Sequence, residues 1–430
     1  MHNLDRRDVL AGAACLLGAP LVSTAARAAA EVKPRVTVIS QWSAGSDGAA
    51  ISALGRVFDE RGGVWQHNPV PGFTTEMMNK LRAQILAGDP PAASQLKGPE
   101  IAAWSKIAAT VDLDPLVAAA GYEAVVTPEL ARLHKPAGKW IALPLQIYRI
   151  NTLFASRRAM EKVGATALPK TWAEFNDLAA RMKAKGVASP VANGGIRWDD
   201  GMKFEIALAG INPETYRKAV MELDDDALRS SDVLAAFRQL RRLSDWMDPN
   251  IAAQSYSVLV PRFVAGEMGL LLMGGWAQGV MLNLGNKLDD FIIGPAPQDN
   301  GKPAFVLNAD AFIFWQRKEA DLQAGQKLMA NLVMSPDVQR MYSQITGSIP
   351  VRSDMDLSGP GWSDGQRDAA SGLRGAMGAK QVMLSLAHNM AQPNQVTAAM
   401  IDVLTEYVHD PSVTPEQGTA RLAEAVEGAR

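Results

Sequence analysis

Cysteine is almost missing from this 430-residue chain, which carries only Cys15. That residue lies in an apolar N-terminal stretch, so the rest of the chain has no thiol. A disulfide framework, a thiol nucleophile and Cys-ligated zinc are excluded together. An excess of one charge is missing as well. Against 43 Lys and Arg stand 45 Asp and Glu, a formal net charge of −2. Nothing in that balance attracts a phosphate backbone, which excludes nucleic acid as a partner. Past the N-terminus no apolar run approaches the roughly 20 residues of a membrane-spanning helix. There is no H-E-x-x-H pair, no phosphate-binding Gly-Lys loop and no dinucleotide glycine fingerprint.

What the N-terminus does have is an export pattern. Arg6-Arg7 precedes an apolar stretch over 9–22, and Ala26-Arg27-Ala28 supplies an A-x-A site. This order predicts a signal peptide over 1–28, of twin-arginine type, cleaved near Ala28, and hence a periplasmic protein. Val9 stands where such signals usually carry Phe. The alternatives are a buried core helix and a lipid anchor on Cys15, for which Gly12 stands where a Leu is needed. Loss of Arg6, Arg7, Arg27, Asp5 and Asp8 with the signal leaves a net charge of about −3.

The rest of the chain is organised around 36–47. Val36, Val38 and Ile39 form a β-branched run suited to a buried parallel strand. Ile51, Leu54, Val57 and Phe58 then recur at helical spacing up to Gly62-Gly63. Residues 41–47 become a strand-to-helix turn, which is where open α/β sheets bind ligands, and Trp42 and Asp47 stand on it. The same order returns over 65–86 and 92–107, and the chain is long enough for two cores. An α/β fold with doubly wound sheets follows. Thr171 and Glu174 read as a capping box for a helix whose stripe of Trp172, Phe175, Leu178 and Met182 is core. Residues 213–250 read as helical, 268–276 as a buried strand with a glycine-rich end, and those past 351 as helical apart from a loop at 358–365. Asn308 and Asp310 sit two apart on a strand over 304–315, so both point to one face. Polar groups inside an apolar run need partners, which makes this pair the strongest local signal.

Three blocks carry a family likeness: Pro169-Lys170-Thr171-Trp172-Ala173-Glu174-Phe175, Phe263 and Gly266 with Gly274-Gly275-Trp276, and Gly347-Ser348-Ile349-Pro350-Val351. With the export signal, they resemble the family 1 extracellular solute-binding proteins of ABC transporters. Gln95-Leu96-Lys97-Gly98-Pro99-Glu100, Leu307-Asn308-Ala309-Asp310-Ala311-Phe312 and Ser385-Leu386-Ala387-His388 narrow the likeness to the periplasmic glucose- and mannose-type branch. The resemblance implies a two-lobed periplasmic binding protein fold of type II. Such a protein closes on a sugar, acts as a monomer and delivers its ligand to a membrane permease. The implied lobes are 31–145 plus 298–349 and 146–297 plus 350–430, with crossings near 143–148, 293–298 and 348–352.

The implied site has Trp42 as the aromatic platform and Asp47 in place of a hydroxyl-binding Glu. Lys97, Asn308, Asp310 and His388 are its sugar ligands, and Trp198 and Trp276 line the opposite lobe. Three positions depart from the branch: Gln41 replaces a second tryptophan, Tyr148 a histidine and Thr346 a lysine. These changes leave room for a sugar other than glucose. Simpler roles stand beside the implied ones: core packing for Trp42, helix capping for Asp47, a solvated surface position for Lys97 and a structural role for His388. An enzyme would instead use Asp47 and Asp310 as a glycosidase pair, about 5 or 6.5–9.5 Å apart according to mechanism. The family's carboxylates act only as hydroxyl acceptors, so a binder with no catalytic residue, metal or cofactor is expected.

Overall fold

β1 (Arg35–Ser40) forms where the β-branched run predicts it, with Val36 and Val38 fully buried. The computed structural model describes residues 32–70, 74–107, 109–248, 254–301 and 303–430; the expected signal peptide, with Cys15, lies outside them. After β1, the helix Gly45–Glu60 starts at an extended Ala44 and buries Ala50, Ile51, Leu54 and Phe58. The turn is therefore shorter than the composition suggests. Asp47 sits in the first helical turn, where a carboxylate meets the positive end of the helix dipole.

β1 pairs in parallel with β2 (Val64–Pro69) and β3 (Ala93–Leu96). The same sheet takes in β4 (Ala142–Arg149), and a second sheet contains β5 (Thr152–Ser156), β6 (Ser189–Val191), β7 (Met268–Met273) and β8 (Phe291–Pro295). The chain then returns to the first sheet with β9 (Phe305–Phe314) and β10 (Val382–Leu384). The orders are β10-β9-β3-β1-β2, with β4 also on β9, and β6-β7-β5-β8. Both sheets are mixed, because β9 runs antiparallel to β3 and β4, and β5 antiparallel to β7 and β8. Each sheet has its own core: Phe154, Phe175 and Phe263 belong to one, Phe58, Leu143 and Phe312 to the other.

Sequence and structure part at several places. The segments 146–149 and 382–384, assigned above to the second lobe, pair in the first sheet. The stretch past 351 is not wholly helical, since β10 lies within it and His388 stands on the loop that follows. Three residues are too few to show a period-2 pattern. The Thr171 hydroxyl does cap the helix Trp172–Ala184 by accepting from Glu174 N at 3.2 Å. The Glu174 carboxylate, however, accepts from Lys170 N instead of the Thr171 N–H a capping box requires. Trp172, Phe175, Leu178 and Met182 are buried in the core as expected.

The passages between sheets are tied together. Asn151 accepts from Val306 N (2.9 Å) and donates to Ala304 O (2.8 Å), while its own carbonyl accepts from Ala296 N (2.9 Å). Ile147 and Ile349 exchange backbone hydrogen bonds of 3.2 and 2.9 Å.

Candidate functional site

β9 carries the centre of the site. Along one edge it pairs with β10 at 305–307 and with β3 at 311–314, and along the other with β4. Asn308 and Asp310 lie in the gap between those two partners and point to one face, with Ala309 buried behind them in the core. The register with β4 sets Tyr148 opposite Asn308 and Gln146 opposite Asp310, and β3 sets Gln95 opposite Phe312. One sheet face therefore presents Gln95, Gln146, Tyr148, Asn308 and Asp310 together.

These groups form a continuous network. The Asp310 carboxylate accepts from Gln95 Nε2 (2.9 Å) and Gln146 Nε2 (3.1 Å), and from Asn308 Nδ2 (3.3 Å). Lys97 Nζ lies 3.5 Å from it, and both side chains are almost fully buried. Asp47 Oδ1 accepts from the same Gln146 nitrogen at 3.3 Å and from the Tyr148 hydroxyl at 3.2 Å. Gln41 joins through its backbone N–H, which donates to Gln95 Oε1 at 3.1 Å. Gly98 makes the turn after Lys97 possible: its φ is +55°, and a Cβ there would collide with the Asn389 carbonyl oxygen.

Facing the network is an aromatic wall. Trp276 meets Tyr148 edge to face with ring centroids 5.5 Å apart, and its centroid is 5.0 Å from His388 and 6.3 Å from Trp198. Tyr256 closes the cluster at 6.4 Å from Trp276. Such pairs contribute about 0.5–1.5 kcal/mol each beyond area burial. Gly274 leaves room for the indole, since a Cβ at that position would overlap the Trp276 ring. Trp42 lies at the network's edge, 5% exposed and edge-on to Phe312 at 5.9 Å.

Network and wall line one cavity of about 940 Å³, which continues past His388 to Ile401, Thr405 and His409. Of the expected site residues it brings together Gln41, Trp42, Asp47, Lys97, Tyr148, Trp198, Trp276, Asn308, Asp310 and His388. Thr346 does not line it. That side chain is fully buried at a helix end, where its hydroxyl donates to Tyr342 O and accepts from Ser348 N. A threonine there closes the helix end rather than reaching a ligand as the longer lysine would. Gln95, Gln146 and Tyr256 were not expected, although the alternation of Gln146 and Tyr148 on an extended stretch is a signal of the same kind as Asn308 and Asp310. Among the described residues no cluster of His, Cys, Asp and Glu could hold a metal ion.

Asp47 and Asp310 accept from one amide nitrogen of Gln146 on a single wall. Burial and the neighbouring Asp310 push Asp47 from 3.8 up to about 6, against hydrogen bonds from Gln146 and Tyr148. Native Asp47 therefore holds its proton between about pH 4 and 6, where the unfolded chain has lost it. Its contribution to stability is present below that window and is lost as pH rises through it. Asp47→Asn is expected to raise the melting temperature more at about pH 8 than at about pH 4; an equal gain at both would contradict the assignment.

The pattern of the bacterial extracellular solute-binding protein family matches residues 53–369. A Brucella suis protein named "Probable sugar-binding periplasmic protein" is 31% identical over 437 residues, covering 100% of both chains. Among solved structures, a chitin oligosaccharide binding protein aligns with a TM-score of 0.77 at 19% identity, over 92% of this chain and 99% of that one. The bacterial solute receptor AcbH, titled as having an exclusive preference for β-D-galactopyranose, aligns with a TM-score of 0.75 at 16% identity, over 92% and 98%. The fold is thus the two-lobed type II arrangement of periplasmic binding proteins. By sequence pattern, by full-length relatives and by fold, the chain belongs to the bacterial extracellular solute-binding proteins, a family of receptors rather than enzymes.

Proposed function

We propose that this protein is the periplasmic sugar receptor of an ABC importer. It captures a monosaccharide or short oligosaccharide in the cleft and delivers it to the membrane permease. Export through the 1–28 signal, cleavage near Ala28 and action as a monomer belong to the same proposal, as does a division into two lobes, one built on each sheet.

The observation that carries it is the pairing of a charged hydrogen-bonding sheet face with an aromatic wall in one cavity. A sugar ring presents hydroxyls around its edge and C–H bonds on its faces, which asks for those two surfaces. Two buried atoms add to this. Asn308 Oδ1, an acceptor, and Trp276 Nε1, a donor, have no hydrogen-bond partner among the described residues, and a hydroxyl can satisfy either. Hydrogen bonds to charged groups contribute about 1.5–3 kcal/mol each, so three or four account for micromolar binding, about −8 kcal/mol. The name of the Brucella relative supports a sugar as the solute. The cavity's extension towards Ile401 and His409 is room for more than one ring.

A panel of monosaccharides and disaccharides, followed by tryptophan fluorescence, tests the reading. Saturable quenching is expected with at least one sugar, together with a smaller scattering radius as the lobes close, and no turnover of aryl glycosides. Turnover, or a flat signal with every sugar, would contradict it.

A further inference from the structure

Glu205 is a carboxylate where the sequence gives no reason for one. It lies in the helix Arg197–Ile211 between Phe204 and Ile206, all three fully buried. A buried carboxylate without donors costs several kcal/mol, and this one takes three of its four donors from a single short segment. Its Oε2 accepts from Leu386 N at 2.6 Å and Ala387 N at 3.4 Å, with the Tyr216 hydroxyl at 3.0 Å. Its Oε1 accepts from the Ser385 hydroxyl at 2.8 Å. The segment so held is the loop after β10 that carries His388 to the cavity wall.

Ser385 Oγ lies 2.8 Å from Glu205 Oε1 and 2.8 Å from His388 Nδ1. A serine hydroxyl has one proton, and a carboxylate only accepts. The proton is therefore committed to Glu205, and only lone pairs remain on Oγ for the imidazole. His388 Nδ1 must then carry the hydrogen, which also suits its 3.7 Å distance from Glu205 Oε1. We propose that Glu205, acting through Ser385, fixes His388 as the Nδ1–H tautomer, leaving Nε2 as a bare acceptor for a ligand hydroxyl. Glu205 is a positioning residue. The acceptor role rests on the sugar-receptor reading, whereas the tautomer does not.

The ring is neutral near pH 7. Burial against Trp198 and Trp276 draws its proton affinity below the ordinary histidine value and Lys97 adds to that, outweighing Glu205 and Asp310. A neutral imidazole has one donor and one acceptor, so what binds Nδ1 decides what Nε2 offers.

The experiment is long-range ¹H–¹⁵N NMR of histidine-labelled, unliganded protein, with the His388 signal assigned by its loss in His388→Gln. The wild type is expected to show the Nδ1–H pattern. Glu205→Gln is isosteric and reverses the chain: its amide donates to Ser385, the serine proton turns to Nδ1, and His388 becomes Nε2–H. Ser385→Ala, which removes the relay, is expected to lose the Nδ1–H preference as well. In both variants the affinity for D-glucose, and for every panel sugar that binds, should fall at least tenfold. An Nε2–H wild type, or one pattern in all three proteins, overturns the proposal. A reversed tautomer with unchanged affinity overturns the acceptor role. A wild type that binds no sugar while keeping the Nδ1–H pattern refutes the receptor reading and leaves the tautomer standing.

Discussion

Asp310→Ala is expected to weaken sugar binding by about 10- to 100-fold, the worth of one charged hydrogen bond of roughly 1.5–3 kcal/mol. The same change strips Gln95 and Gln146 of a shared acceptor and leaves Lys97 buried without its ion-pair partner. Breaking a buried pair on one side costs about 3–5 kcal/mol, so the alanine variant should also melt earlier while still folding. Asp310→Asn separates the two effects. It keeps the side chain's size and one acceptor, so most of the stability should return while the affinity stays at least tenfold down. Calorimetric titration with thermal denaturation reads both. An Asp310→Asn variant with wild-type affinity would remove the charge from the binding account.

Trp276→Ala is expected to be the most damaging single truncation in the cleft. The indole touches Tyr148, Trp198, Tyr256 and His388. Removing a buried tryptophan costs about 3–5 kcal/mol of stability, and here it also takes the centre out of the aromatic wall. Sugar affinity should drop beyond the range of a micromolar titration, and ligand-dependent quenching should largely disappear. Trp276→Phe keeps an apolar face but not the Nε1–H, and should lose about tenfold, near the 1 kcal/mol of one neutral hydrogen bond plus some ring area. An alanine variant that retains both affinity and quenching would show that the wall does not touch the ligand.

Much of this site was legible in the sequence, for physical reasons that differ by residue. Asn308 and Asp310 announced themselves by alternation, since two polar groups on one face of an apolar strand must find partners. Trp42 and Asp47 followed from the turn after β1, and Trp198, Trp276, Lys97 and His388 from family likeness. Gln95 and Gln146 were missed because their role is cross-strand. Gln146 faces Asp310 only because the register shifts between Pro144 and Gln146, and a one-residue slip would turn it to the other face. Glu205 was hidden for a related reason. Its helix is buried almost all round, so no polar stripe marks which side a partner approaches from. Thr346 misled because its position matched a ligand in the family while its short side chain is used up at the helix end.

Isothermal titration of the mature protein with individual mono- and disaccharides tests the central claim most directly. At least one sugar is expected to bind at one site per chain with a dissociation constant in the micromolar range or tighter, the sum of three or four charged hydrogen bonds. Heat from none of them, or binding that survives loss of both Asp310 and Trp276, would contradict the account.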